Sequence, residues 1–429
     1  METVTPPNLW QKSKLLIKGL LIGGLVLLLL IPAYFVQNLI REREARQKEA
    51  FTEVSSRWAG RQNITGPVLV LPYAETILNG ALPTGIRKLA YILPDNLTIT
   101  ADVKPEERHR GIYQVMLYSS VVQLAGSFNI LPLQQLKIDP ANVYWNEAYV
   151  CMSLADAQGL KEGINLKWND SVMTLNPASV NNAVMREGFA APVVVAPDKG
   201  ISFSSTISIN GSEQLLFTPV GRETTVNVSS SWPDPSFNGG QLPNYRLTDK
   251  GFTATWKSLS HTRSFPQSWK NDTYNLQSAS FGADLFIPVN GYQKTMRSVK
   301  YAILCILLTF AAFFIIETVN RRSVHPFQYA LIGLALILFY TLLLSFSEYT
   351  GFNTAYIIAS AATVGLIAWF VGGILRSSKL TSILSVALVL MYSYIFTILQ
   401  LQDYSLLLGS IGLFLTLAVI MHFSRKIQW

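Results

Sequence analysis

The sequence predicts an α-helical membrane protein: six transmembrane helices joined to a large, mainly antiparallel β domain outside the cytoplasm. Three observations carry that expectation. Half of the 429 residues are apolar and only 14% are charged, too oily a mixture for an ordinary soluble chain of this length. The apolar residues gather into windows close to the ~20 residues that a helix needs to cross hydrocarbon. The long middle of the chain has no such window and is built from short runs rich in Val, Ile, Tyr and Thr, separated by Pro, Asn and Gly.

Six windows qualify: Leu15–Val36, Val299–Thr318, Phe327–Phe346, Thr354–Leu375, Leu380–Leu399 and Tyr404–Phe423. None has a charge near its centre. The first exceeds the ~7–15 apolar residues of a cleavable signal peptide, and no small-x-small site follows it. It reads as an uncleaved signal anchor.

The formal net charge of +8 is unevenly placed. Between Gln37 and Arg297 there are 24 Lys and Arg against 22 Asp and Glu, a balance of +2. The surplus sits beside the apolar windows, at Lys12, Lys14, Lys18, Arg321, Arg322, Arg376, Lys379, Arg425 and Lys426. With the N-terminus in the cytoplasm, every short basic loop falls inside. The loops Ser347–Asn353 and Gln400–Asp403, which have no Lys or Arg, fall outside. That is the positive-inside bias, so the surplus is an orientation signal and not a nucleic-acid surface. Arg321 and Arg322 mark a tight cytoplasmic turn, and Pro326 starts the helix that follows.

The implied organisation is a cytoplasmic N-terminus (1–14), helix one (15–36), a helical stalk (37–60), a β-rich domain (61–297) and a five-helix bundle (298–429). Residues 37–297 lie outside the cytoplasm. They contain one cysteine, Cys151, which excludes an intramolecular disulfide there. A bacterial periplasm tolerates this well.

The stalk, Arg41–Trp58, lacks Gly and Pro, and Ala50, Phe51, Val54 and Trp58 repeat at helical spacing. Strands are expected at Val68–Leu71, Lys88–Leu93, Leu97–Val103, Gly111–Leu117, Ala148–Leu154, Val193–Ala196, Ile201–Ile209, Glu213–Thr218, Thr224–Ser230, Phe252–Trp256 and Ala283–Pro288. Ile201, Phe203, Ile207 and Ile209 share one face, with Ser205 interrupting the apolar row. Asn210-Gly211 predicts a hairpin turn, and Pro94-Asp95-Asn96 another. A short helix is expected at Leu154–Leu160 and a loop from Pro233 to Gly240. A β sandwich follows.

The chemistry is sparse. His109, His261, His325 and His422 have no second ligand at metal spacing. There is no nucleophile elbow, phosphate loop or dinucleotide motif. No catalytic residue, cofactor or metal is expected, and His109 reads as part of a solvated loop. Glu317 is the sole buried-looking carboxylate of the helices. It lies about one turn from Arg321 and Arg322, so those three residues form a candidate ion pair at the inner interface. Ala355, Ala359, Ala362 and Gly365 line one side of a helix as a packing face. Trp58, Trp145, Trp168, Trp232, Trp256 and Trp269 read as β-core residues.

Several stretches carry a family resemblance. They are Arg61–Tyr73, Arg110–Tyr113, Phe281–Asp284, Pro288–Lys294, Lys300–Leu304, Leu308–Phe314, His325–Ala335, Leu342–Glu348, Tyr404–Ser410 and the terminal Trp429. Together, end to end, the chain resembles the CreD family of inner-membrane, cell envelope integrity proteins. Asn290 and Tyr349 stand where the family pattern has Asp and His. The resemblance implies a Gram-negative inner-membrane protein acting in envelope integrity and stress tolerance, with no assigned reaction.

The expected function is therefore non-enzymatic: helices anchor a periplasmic domain that binds an envelope component or partner protein. The implied partners are that component and the lipid bilayer, without nucleic acid; the ligand and oligomeric state are unspecified. A lipid or solute transporter and a sensor working through a partner kinase are the rivals. A proton-coupled carrier would depend on Glu317. A sensor would need a partner, because the cytoplasmic loops are too short for an output domain.

Overall fold

The computed structural model describes residues 9–79, 82–178, 188–270, 274–285, 291–319, 324–401, 407–412, 414, 418 and 421. The chain divides into two compact units, Glu49–Pro288 and a second made of Met1–Lys48 with Val289–Trp429.

The helices come from the apolar windows. Helix α1 runs unbroken from Leu9 to Trp58, through Pro32. Helices α2 (Gly291–Lys300) and α3 (Ala302–Val319) follow the β unit. Then come α4 (Pro326–Thr350), α5 (Phe352–Leu375) and α6 (Ser378–Gln400). Four of these are long and apolar enough to cross a membrane, and the bent pair α2–α3 makes up to five. The expected count of six is not reached among the described residues. The window Val299–Thr318 begins inside the 42° bend between α2 and α3. The bend sits where the sequence changes character: α2 buries Tyr292, Thr295, Ser298 and Val299 along one stripe and is polar elsewhere, whereas α3 is apolar all round. The window Tyr404–Phe423 falls mostly outside the described residues.

The packing stripe of α5 differs from expectation. Ala355, Ala359, Thr363 and Ile367 are buried, at strict i+4 spacing. Ala362 and Gly365 are exposed. Following the i+4 row keeps one ridge against neighbouring helices; the i+3 step to Ala362 leaves it. A close approach occurs at Gly333 in α4, where a Cβ would lie 2.2 Å from Leu29 Cδ1 of α1 and 3.0 Å from Phe310 of α3.

Among its described residues the β unit has sixteen strands: β1 (Gln62–Asn79), β2 (Leu82–Ile92), β3 (Asn96–Arg110), β4 (Tyr113–Phe128), β5 (Tyr149–Leu154), β6 (Ile164–Trp168), β7 (Ser171–Ala178), β8 (Gly188–Pro192), β9 (Ile201–Ser212), β10 (Gln214–Phe217), β11 (Glu223–Ser230), β12 (Ser236–Gly239), β13 (Asn244–Thr248), β14 (Gly251–Leu259), β15 (Ser268–Lys270) and β16 (Phe281–Asp284). They form one path, β12-β16-β10-β1-β5-β8-β7-β6-β9-β4-β3-β11-β14-β13, with β2 and β15 branching from β1. The sheet is mixed: β1 with β10 and β3 with β11 are parallel, and the other described pairings are antiparallel.

β7 joins two halves. Its Ser171–Leu175 pairs with β6 and its Asn176–Ala178 with β8. The halves face each other across one core. Trp256 of β14 stacks on Phe281 of β16, at 5.7 Å between ring centroids, and the Tyr118 hydroxyl of β4 donates to the Gln214 carbonyl of β10 at 2.7 Å. Strands β3, β9, β11 and β14 alternate buried and exposed residues, as half-covered strands should. Ser205, the polar break in the apolar row of β9, is buried and donates to the Asn165 carbonyl at 2.8 Å. The lone polar side chain is thereby satisfied.

Both expected hairpins are absent. β9 continues through Asn210-Gly211 and pairs there with Ser119 and Tyr118 of β4. Gly211 serves close approach, since a Cβ would lie 2.3 Å from the Tyr118 ring. Pro94-Asp95 is a crossover, because β2 pairs with β1 and β15, and β3 with β4 and β11. The expected strand at Val193–Ala196 is instead β8, just before it. The expected helix at Leu154–Leu160 is one 3-10 turn at Ala157–Gly159, capped by Asp156. The expected loop from Pro233 contains β12, and His109 lies on the exposed end of β3 rather than in a loop.

Candidate functional site

Several chain segments cross from one half of the β unit to the other at one end, among them those that join β2 to β3, β4 to β5, β8 to β9, β10 to β11, and β14 to β15. Crossovers cannot continue a ladder, so their backbone groups need other partners. Here they bond to one another. The Pro94 carbonyl accepts from the Arg222 N–H at 2.8 Å and from the Gln267 side-chain amide at 2.5 Å. Asp95 Oδ1 accepts from Arg222 Nε at 2.9 Å, and Oδ2 from the Asn129 N–H at 2.8 Å. Leu93 N–H donates to the Gln267 carbonyl at 3.0 Å.

Arg263 locks the node from behind. Its Nη1 donates to the carbonyls of Pro219, at 2.6 Å, and Gly221, at 3.1 Å. Its Nη2 donates to the Gln267 side-chain oxygen, and the guanidinium lies 4.5 Å over the Phe265 ring. No carboxylate touches it among the described residues. Burial, and then the positive charge of Arg222, push its pKa down to about 10. It remains a cation at neutral pH, held by carbonyl dipoles.

Beside this node is a half-open cavity of about 390 Å³, within the usual range for small-ligand sites. Asp95, Arg222 and Gln267 form one wall; the Asn129–Gln135 loop and Asp198 line the rest. Ile130 is 76% exposed on that lining.

The sequence also singled out Glu317, in the helices. It is buried near the end of α3 and forms an ion pair with Lys18 of α1. It also accepts from the Tyr329 hydroxyl at 2.9 Å and the Val324 N–H at 3.0 Å. Lys18 donates in addition to the Val324 carbonyl at 2.8 Å. Arg321 and Arg322 lie outside the described residues, as does Asn290. His325 caps α4: its Nδ1 accepts from the Phe327 N–H at 3.2 Å, and Gln328 reciprocates on the His325 N–H at 3.0 Å. With Pro326 at the first helical position, the start of α4 is fully specified locally.

The tryptophans divide. Trp168, Trp256 and Trp269 are buried in the core. Trp145 and Trp232 are partly buried against it. Trp58 carries the Arg108 guanidinium 5.3 Å from its ring centroid. The node of Asp95, Arg222, Arg263 and Gln267 was missed by sequence reading. Those four residues form no motif in the sequence.

The chain matches the family described as inner membrane protein CreD over residues 14–429. It is 31% identical over 430 residues to inner membrane protein CreD of Escherichia coli (strain K12), covering 97% of this chain and 94% of that protein. The chain belongs to the CreD family. CreD proteins are inner-membrane proteins, and the apolar helices described above fit that class. Among solved structures, a two-domain M1 zinc metallopeptidase aligns with 43% of this chain and 42% of its own, at 8% identity and a TM-score of 0.17. So low a score carries no relation of fold.

Proposed function

We propose that this CreD-family chain is a non-enzymatic inner-membrane protein that maintains cell envelope integrity under stress. Its β unit binds an envelope component or partner protein at the crossover cavity, while the helices anchor it. In this reading the termini are cytoplasmic, residues 37–297 are periplasmic, and the chain crosses the bilayer six times. The observation that carries it is the cavity itself, walled by a cross-bonded polar node at the end of the sandwich where these crossovers meet. A rigid rim with convergent polar groups is what a recognition site needs.

Two experiments test it. A phosphatase that is active only outside the cytoplasm, inserted at Asp170 in the β6–β7 turn, should be active. A reporter active only in the cytosol and lighting up there would reverse the topology. A photo-crosslinking amino acid at Ile130, in living cells, should give a discrete light-dependent adduct. The same group at Val172, exposed on β7 and not among the residues that line the cavity, is the control. Equal patterns from both sites, or none from Ile130, would remove the cavity from the account.

A further inference from the structure

We infer that the crossover cavity recognises the free carboxylate of a short peptide segment, and that Arg222 is the residue that pairs with it. The inference rests on the reading above, that this cavity is the binding site of the β unit. Arg222 lies on the lining with its side chain 60% exposed. Among the described contacts only its Nε is used, toward Asp95. Both terminal amines remain for an acceptor, and such a fork matches a carboxylate.

The fork is held in place. Asp95 cannot swing, because its other carboxylate oxygen takes the Asn129 N–H at 2.8 Å. Its own backbone donates to Ser127 at 2.8 Å and accepts from Glu223 at 2.9 Å. Arg222 is therefore ordered before any ligand arrives, which lowers the entropy lost on binding. Charge points the same way. Asp95 pairs with Arg222, and Arg263 behind the node is held by uncharged oxygens alone, so two guanidiniums stand there against one carboxylate before Asp198 of the lining is counted.

The rest of the lining selects among anions. Asp198 adds a negative charge, which opposes a phosphate carrying two. A singly charged carboxylate tolerates it, and a ligand ammonium would use it. The side-chain amides of Gln134 and Gln135 suit peptide groups, and exposed Ile130 suits a small apolar side chain.

The test uses the purified full-length protein in detergent. The probes are a pool of random tripeptides with free C-terminal carboxylates, the same pool amidated, and inorganic phosphate. Equilibrium dialysis with mass spectrometry reads what is retained. Free-acid peptides should bind at least tenfold more tightly than amides. Arg222→Gln should lose at least tenfold, and Arg222→Lys should keep part of the binding, with melting curves confirming that each variant folds. Equal retention of acid and amide pools overturns the inference, and so does binding of phosphate alone or no retention at all. If peptides fail while Ile130 still gives its adduct, the cavity stands and the carboxylate falls. If Ile130 gives no adduct, the site reading falls first.

Discussion

Glu317 shows how a single residue can be noticed from sequence before a distant partner of it is known. A carboxylate among apolar helices must be neutralised, so its singularity was visible. The partner resolved in the structure is Lys18, which stands 299 residues away and can be found only by folding. With Tyr329 and the Val324 N–H also donating, both carboxylate oxygens of Glu317 are hydrogen-bonded. Its satisfied state favours a structural clasp. Glu317→Gln leaves the Lys18 charge without its counterion, at a cost of about 2–5 kcal/mol, as for other largely buried pairs. The melting temperature of the purified protein should fall, while stress tolerance of cells holding normal protein levels should persist. Loss of tolerance at normal abundance and stability would instead move the function into the helices.

At the scale of elements, the helices were legible because their signal is local. A run of about 20 apolar residues is a complete instruction for a membrane helix, and His325, Pro326 and Gln328 write the start of α4 within four positions. Their ends are tied by polar contacts that no window reveals. Tyr292 donates to Glu348 at 3.1 Å, and Lys294 to Gln400 at 3.2 Å, while Gln400 reaches Asn353 at 2.5 Å. How the helices pack was less legible: the i+4 row of α5 and the Gly333 contact depend on which face meets a neighbour. Gly333→Leu should drive a side chain into Leu29 and Phe310 and lower thermal stability by about 1–3 kcal/mol. Gly365→Leu, with open space around it, should change stability by less than about 0.5 kcal/mol. Equal effects from the two would refute the packing face described here.

For the whole molecule, the β unit has its own continuous core, drawn from both halves of the sheet path. A fragment covering residues 49–288 should therefore fold alone, with a β-type circular dichroism spectrum and one cooperative melting transition. A fragment that stays unfolded would show that the core depends on the helices. The fragment keeps the Glu53–Arg110 ion pair, at 2.9 Å, and the Trp58–Arg108 contact, so the last turns of α1 travel with it.

The sequence by itself determined the two-part character of the chain, the apolar helices, and the presence and approximate place of most strands. These follow from composition and short-range periodicity, which act through neighbours in the chain. Only the tertiary structure decided strand pairing, the loss of both expected hairpins, the Lys18 clasp and the crossover cavity. Asp95, Asn129, Arg222 and Gln267 carry no motif, and Gln267 bonds to the Pro94 carbonyl across 173 positions. Partners so distant are chosen by which packing buries the most apolar surface while leaving the fewest backbone groups unpaired. That choice belongs to the whole fold and is written in no local stretch.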